Sequence, residues 1–299
     1  MSYFIKAELW RLKIVSKIVL SRLPIPYSFW KCLHIFRHGD MDQPQRVLEN
    51  FLMHARAAYV LDEESLLPHL KVSGDFNVLE LGPGDSQCSI LIAKALGATY
   101  TWLVDAGDFA SKDLALYAEM LNMLAQRGYS LPFLDEDKPN TLIDIIKACN
   151  GKYLTDGIQS LAQVPSGTVD FIFSQTVLQH IPKSDFNQAA EHLFRILKPN
   201  GVCHHRVDLK DMMGGGLNNL RFSDVVWESP LFRKSGFYTN RICFREMIRI
   251  FEQAGFICTI PRIKRWEQLP TPREKLYALF HQVADEDLLI SGFDILLTK

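Results

Sequence analysis

Two glycines and two acidic residues have the spacing of a nucleotide-binding turn. Gly82 and Gly84 follow the apolar run FNVLEL, and because they lack side chains, a ligand can lie against the main chain there. Asp105 comes 21 positions after Gly84, directly after the next apolar run, where a carboxylate can accept hydrogen bonds from ribose hydroxyls. Glu80 stands two residues before Gly82. These residues predict a site for an adenosine-containing cofactor.

The turn departs from the fingerprint of dinucleotide-binding proteins. That fingerprint needs a third glycine, and Gln87 occupies its position here. Glu80 also places an acid where the strand of an NAD-binding protein is apolar. A nicotinamide oxidoreductase is therefore the disfavoured alternative.

Three histidines are candidates for a general base, because imidazole titrates near neutral pH. His204 and His205 point to opposite faces of one predicted strand, so we expect one to be buried and His205, nearer the carboxyl end, to face an acceptor. His180 is the alternative candidate for the base, but its simpler role would be to shape the pocket through a hydrogen bond. Asp208 and Asp211 follow at three-residue spacing. They could orient the base or hold Mg²⁺, but we expect no metal, since a cap or an ion pair would also explain them.

The elements that must position these residues are those of an α/β protein. The chain has 299 residues, 47% of them hydrophobic, which is enough for one large domain or two modest ones. From residue 76, short β-rich runs alternate with amphipathic helical runs, as is typical of a parallel sheet covered on both faces. The predicted strands are 76–81, 99–104, 152–155, 169–174, 201–207, 256–264 and 291–298. The predicted helices include 44–60, 86–96, 184–197, 241–254 and 272–283.

Several motifs in the same order resemble those of the class I S-adenosylmethionine-dependent methyltransferases. The run VLELGPG at 78–84 resembles the first motif of that family. Residues 156–157 resemble the adenine-contacting position, and VDFIFSQTVLQHI at 169–181 resembles the fourth-strand motif. The run LKPNG at 197–201 resembles the turn before the fifth strand. The resemblance covers about residues 70–299.

This resemblance implies a doubly wound, mostly parallel seven-stranded sheet of the Rossmann-like methyltransferase fold, with one antiparallel strand inserted beside the sixth. It implies a methyltransferase domain at 71–299 after a basic helical extension at 1–70. The cofactor would be S-adenosyl-L-methionine, with its amino-acid end at the glycine turn, its ribose on Asp105 and its adenine near Asp156. The residues assigned to this cofactor are Glu80, Gly82, Gly84, Asp105, Asp156, Gly157 and Ser174.

An insertion at about 208–240 is where members of this family commonly recognise the acceptor. Its aromatic, asparagine and arginine side chains suit a saccharide or another hydroxylated acceptor, and its three consecutive glycines at 214–216 would permit a lid. The alternative is a loop packed on the core by its aromatic residues. The acceptor-binding residues assigned here are Asn219, Arg221, Trp227, Tyr238 and Arg241.

The expected activity is O-methylation of a saccharide or a glycan-containing acceptor, with His205, His180 and Asp208 in catalysis. The runs HGDMD at 38–42, HRVDLKD at 205–211 and RFSD to SGFYTNR at 221–241 resemble those of methyltransferases that accompany bacterial surface-polysaccharide glycosyltransferases. Methylation of a lipid or small secondary metabolite is the nearest alternative, and a non-catalytic, cofactor-binding partner subunit is another. Nucleic acid is disfavoured as an acceptor, because 33 basic residues balance 34 acidic ones. In addition, SQTV at 174–177 stands where nucleic-acid methyltransferases that act on exocyclic amines have their own motif.

The N-terminal segment carries its own charge. Residues 1–38 contain seven basic residues and one acid, and Lys6, Lys13 and Lys17 share a narrow arc of a predicted helix that ends at Pro24. This helix either packs on its own domain or on a dimer mate, or adsorbs to an anionic membrane with help from Trp10, Tyr27 and Trp30. The six separated cysteines and the charged N-terminus favour a cytoplasmic chain that begins near Met1, at most peripheral to the inner membrane face.

Overall fold

The computed structural model describes residues 2–23, 41–61, 75–131 and 139–299, with only the backbone of 2–9. Seven strands form one sheet: β1 Asn77–Leu81, β2 Tyr100–Val104, β3 Gly151–Leu154, β4 Val169–Gln175, β5 Leu197–Asp208, β6 Ile257–Arg265 and β7 Ile290–Thr298. Their order is β3-β2-β1-β4-β5-β7-β6, and β7 runs antiparallel to both of its neighbours. The predicted doubly wound, Rossmann-like methyltransferase fold is confirmed, with the antiparallel strand inserted beside β6.

Ten α-helices lie in the described residues: α1 Ser2–Leu20, α2 Pro44–Ala57, α3 Ser89–Ala95, α4 Leu114–Ala125, α5 Leu142–Ala148, α6 Phe186–Ile196, α7 Asp224–Trp227, α8 Pro230–Arg233, α9 Phe244–Gln253 and α10 Asp285–Leu288. Short 3-10 helices join them: Gly157–Gln163, Leu178–His180, Lys183–Asp185, Asn218–Arg221, Arg273–Lys275 and Ala278–Gln282.

Several predicted helices begin or end at other residues than the observed ones, and two of these differences have a local cause. The helix predicted at 241–254 starts only at Phe244, because Arg241 has a φ of +59°, outside the helical region. The helix predicted at 272–283 is two 3-10 turns, because Leu276 and Tyr277 between them are extended. The guanidinium of Arg273 binds the carbonyls of this segment instead.

The two faces of the sheet are covered by different helices. On one face, Phe171 and Phe173 of β4 pack with Phe51 of α2 in a core that also includes α3 and α4. On the other face, the alternate residue Ile172 packs with α6 and α9. Helix α2 therefore packs in the core of the sheet, although it precedes the first strand.

Helix α1 lies against the insertion. Its residues Trp10, Ile14 and Ile18 pack on the buried aromatic cluster of the insertion, and the Trp10 ring meets Phe222 edge-on at 6.0 Å. Lys17 is half-buried on this side, with Nζ 3.4 Å from the Gly236 carbonyl oxygen, so the predicted lysine arc is not one free surface. None of the helices in the described residues has the length and hydropathy that a membrane-spanning helix requires. The side chain of Lys6, together with Pro24, Tyr27 and Trp30, lies outside the described residues.

Candidate cofactor and acceptor site

The glycine turn leaves β1 at the central crevice of the sheet, where neighbouring strands connect in opposite directions. Gly82 and Gly84 both have a φ of +69°, which glycine adopts without strain. A Cβ atom at Gly82 would lie 2.4 Å from Cγ2 of Val177, which follows β4. The missing side chain at Gly82 is therefore needed first for the close packing of two strand ends.

Asp105 connects three strand ends. Its Oδ2 accepts a hydrogen bond from the Gly84 amide at 2.8 Å, and its Oδ1 accepts one from the Ala106 amide at 2.7 Å. Its main-chain carbonyl accepts a hydrogen bond from the Gly157 amide at 2.8 Å, so the exit of β3 at Asp156 is held beside it. The structure thus brings together four of the residues predicted for the cofactor.

The carboxyl groups at this edge of the sheet suit a cationic ligand. Glu80 is fully buried beneath the turn and accepts a hydrogen bond from the Ser89 hydroxyl of α3, and burial raises its pKa to about 8. Burial also raises the pKa of Asp105, and the nearby Asp85 raises it further. A bound sulfonium and ammonium group would favour the charged forms of these carboxyl groups, whereas the diphosphate of a dinucleotide would disfavour them. The residues present therefore fit S-adenosylmethionine.

Ser174 and His205 lie inside the protein rather than at the open edge of the sheet. Both side chains are buried, and the Ser174 hydroxyl is 2.8 Å from Nδ1 of His205. The His205 ring is parallel to that of Phe251 in α9, with centroids 6.3 Å apart, and burial lowers the pKa of His205 to about 3. His204 is buried on the opposite face. The expected exposure of His205 toward an acceptor is not observed.

His180 lies at the rim of the crevice. The residue is exposed, and its Nδ1 is 2.9 Å from the main-chain oxygen of Tyr238. A carbonyl oxygen only accepts, so Nδ1 carries the proton and Nε2 keeps its lone pair. Crowding by surrounding protein lowers the pKa of His180 below 6.5, while the charge of Asp208 opposes that shift. The ring is therefore neutral and basic at Nε2 near pH 7.

The two aspartates after His205 have separate roles. Asp208 is half-buried at the end of β5 and pairs with Lys210 at 3.3 Å. Asp211 is buried, and its Oδ1 accepts hydrogen bonds from the main-chain amides of residues 213–215 while its Oδ2 binds Asn218. Asp211 thus fixes the triple-glycine loop that the sequence indicated as a lid.

The predicted acceptor residues of the insertion lie in three different places. Trp227 and Tyr238 are buried in the aromatic cluster under α1, as in the alternative of a loop packed by its aromatic residues. Arg221 lies over the Trp10 ring at 5.1 Å. Asn219 and Arg241 instead line a cavity at the carboxyl end of β5.

The space inside this cavity that a water molecule can enter is about 30 Å³, and the empty volume including its open mouth is about 390 Å³. Three of its lining residues carry a buried polar atom that has no hydrogen-bond partner among the described residues: Gln179 Oε1, Asn219 Oδ1 and Arg241 Nε. Asp208 also lines it. Gln179 was missed in the sequence analysis, although it stands next to His180 in the LQH motif. Its amide nitrogen binds the Thr176 carbonyl at 2.8 Å, which places it between the strand end and the cavity.

Residues 52–259 match the sequence model of a family described as a methyltransferase domain. The chain belongs to this methyltransferase family. It is a class I S-adenosylmethionine-dependent methyltransferase, and S-adenosylmethionine is its cofactor. No curated protein matches the chain.

Solved structures that are similar to this methyltransferase come from diverse organisms. The YcgJ protein of Bacillus subtilis is 15% identical with a TM-score of 0.45, and the match covers 85% of this chain and 98% of that one. An arsenic(III) S-adenosylmethionine methyltransferase of Chlamydomonas reinhardtii is 16% identical with a TM-score of 0.40, and the match covers 74% of this chain and 62% of that one. A phosphoethanolamine N-methyltransferase of Haemonchus contortus, in complex with S-adenosylhomocysteine, is 14% identical with a TM-score of 0.42, covering 88% and 53%.

The affinity of this methyltransferase for its cofactor should depend on the protonation of Glu80. The pKa of Glu80 is raised to about 8, so near neutral pH the free protein holds a proton that a cationic ligand disfavours. Binding releases this proton, so we expect the affinity to rise about 25-fold between about pH 6.5 and about pH 8.5. Calorimetric titrations across this range should show the rise in the wild type and lose it in Glu80→Gln. An equal slope in both proteins would contradict the assignment.

Proposed function

We propose that this methyltransferase transfers the methyl group to a hydroxyl of a saccharide or glycan-containing acceptor. The observation that carries the proposal is the cavity whose lining residues hold three buried polar atoms without a hydrogen-bond partner in the described part of the chain. Gln179 and Asn219 offer acceptors, and Arg241 offers a donor. A sugar hydroxyl both donates and accepts, so neighbouring hydroxyls complement this set, whereas an apolar acceptor would leave all three atoms unpaired.

Within this proposal, His180 is the general base and Asp208 stabilises its charged form. S-adenosylmethionine supplies a methyl group already activated on sulfur. His180 would accept the hydroxyl proton at Nε2 as the acceptor oxygen bonds to the methyl carbon and the sulfur–carbon bond breaks. The products would be a methyl ether, S-adenosylhomocysteine and an imidazolium ion. The position of His180 at the rim, with Nε2 unprotonated, supports this role over that of the buried His205.

A pair of substitutions distinguishes residues that contact the acceptor from residues that only maintain the structure of the insertion. We expect Asn219→Leu to raise the KM for a saccharide acceptor about tenfold, the size of one or two lost hydrogen bonds, with unchanged affinity for S-adenosylhomocysteine. Tyr238→Phe is the matched control, because its hydroxyl binds Glu228 at 2.9 Å outside the cavity. Steady-state kinetics with both variants measures this. Equal KM values for Asn219→Leu and the wild type would contradict the cavity assignment.

The division of the chain belongs to the same proposal. Residues 71–299 would form the catalytic domain, residues 208–240 its acceptor insertion, and residues 1–70 a helical extension. The resemblance to methyltransferases that accompany surface-polysaccharide glycosyltransferases supports a role in polysaccharide biosynthesis. We place this activity in the cytoplasm at the inner membrane face.

The outward face of α1 supports peripheral membrane contact. Leu12, Val15 and Val19 are 66%, 59% and 56% exposed, and they form one apolar stripe at helical spacing. The basic side chains of Arg11, Lys13 and Arg22 around it are also exposed. An apolar stripe flanked by cations complements an anionic lipid surface.

We expect the intact protein to co-sediment with vesicles rich in phosphatidylglycerol at low salt. Each basic side chain near such a surface contributes about 1 kcal/mol, and salt screens this contribution. Exchange of Val15 and Val19 for aspartate should abolish co-sedimentation while leaving cofactor affinity intact. Val225→Asp is the matched control, since Val225 is 85% exposed on the insertion. Binding that survives the α1 exchange would contradict the assignment.

A further inference from the structure

Two buried histidines from distant parts of the sequence form a hydrogen-bonded series that ends on Gln175. Nδ1 of His54, in α2, is 2.6 Å from Nδ1 of His204 in β5. Nε2 of His54 is 2.9 Å from Oε1 of Gln175, the last residue of β4. Both imidazole rings are buried. His54 precedes the whole sheet in sequence and belongs to none of the cofactor motifs.

The protonation states of the two histidines follow from their hydrogen-bond partners. Burial lowers the pKa of His54 and brings that of His204 to about 4, so both rings are neutral near pH 7. An amide oxygen only accepts, so Nε2 of His54 carries the proton and its Nδ1 is an acceptor. Nδ1 of His204 must therefore donate to it. The amide oxygen of Gln175 is thus held by His54, and its NH₂ group has no hydrogen-bond partner among the described residues.

Gln175 lies where β4 meets the glycine turn. The preceding residue, Ser174, pairs with Leu81 in β1, so Gln175 is level with Gly82. We propose that His54 is a positioning residue, which holds the Gln175 amide so that its NH₂ group donates a hydrogen bond to the carboxylate of the cofactor's amino-acid end. An NH₂ group complements a carboxylate, while the buried carboxyl of Glu80 complements the ammonium.

Two ligands that differ only in this carboxylate test the proposal. We expect His54→Phe to weaken binding of S-adenosylmethionine about tenfold, the size of one charge-assisted hydrogen bond, without weakening decarboxylated S-adenosylmethionine. His54→Gln keeps a donor near the position of Nε2 and should restore most of the loss. A merely structural role of His54 would weaken both ligands alike. Equal losses for the two ligands, or no loss for either, would overturn the proposal.

A second variant and a spectroscopic measurement keep the test decisive. Gln175→Leu removes the amide itself and should show the same selective loss, even if His54→Phe does not fold. Nitrogen-15 NMR of the wild type should show His54 protonated at Nε2 and His204 protonated at Nδ1. The reverse pair of tautomers would mean that the amide presents its oxygen to the cofactor, which would overturn the proposal.

Discussion

His180→Phe is expected to lower the methyl-transfer rate by about 10² or more, in line with the loss of a general base. The affinity for S-adenosylhomocysteine should stay unchanged, because His180 contacts Tyr238 at the rim rather than the glycine turn. The pH profile of the wild type should rise through a pKa below 6.5 and reach a plateau, since crowding keeps the free ring neutral at higher pH. Turnover of the identified acceptor across pH 5 to about pH 8 measures both effects.

His205→Asn is the matched control for this prediction. The ring of His205 is buried between Ser174 and Phe251, so its loss should reduce stability while leaving the shape of the pH–rate profile unchanged. If His205→Asn abolished the rise of the methyl-transfer rate at low pH while His180→Phe kept a rate near that of the wild type, His205 and not His180 would be the general base.

Gly82→Ala should weaken the affinity for S-adenosylhomocysteine at least about tenfold and also destabilise the fold, because a left-handed alanine costs about 1 kcal/mol or more. The larger cost is steric, since the new Cβ would lie 2.4 Å from Cγ2 of Val177. Relief of this clash must displace the strand end that faces the cofactor. Calorimetry gives the affinity, and urea titration gives the free energy of unfolding.

Gly167→Ala separates the effect of backbone strain from the effect of the steric clash with Val177. Gly167 has a similar φ of +62°, but a Cβ there meets nothing within 4 Å. It should therefore lose stability without losing cofactor affinity, whereas Val177→Ala should restore part of the affinity of Gly82→Ala. Equal affinities for Gly82→Ala and the wild type would contradict the role of the turn.

The cofactor site was predictable because its signals are local. A glycine turn and an acid 21 residues later need only the order of two adjacent strands, and the sheet brings Gly84 and Asp105 into direct contact. The exposure of His205 was not predictable in this way. It depends on Phe251, which α9 brings from 46 positions further along the chain.

The insertion shows the same limit. Its composition predicted an acceptor region, and Asn219 and Arg241 do line a cavity. The sequence could not show that Trp227 would be buried under α1, because that contact joins residues more than 200 positions apart. Nor could it show Gln179 as a cavity residue, since its position depends on the turn at Thr176, where φ is +56°.

Transfer of an isotope-labelled methyl group from S-adenosylmethionine to a panel of acceptors tests the central claim most directly. The panel should contain free and lipid-linked saccharides, phospholipids and small phenolic metabolites, with Asp105→Ala as the inactive control. We predict that the label appears on a saccharide as an alkali-stable methyl ether and that the control transfers none. Label on a phospholipid or phenolic acceptor alone, or no transfer to any acceptor despite tight cofactor binding, would contradict the account.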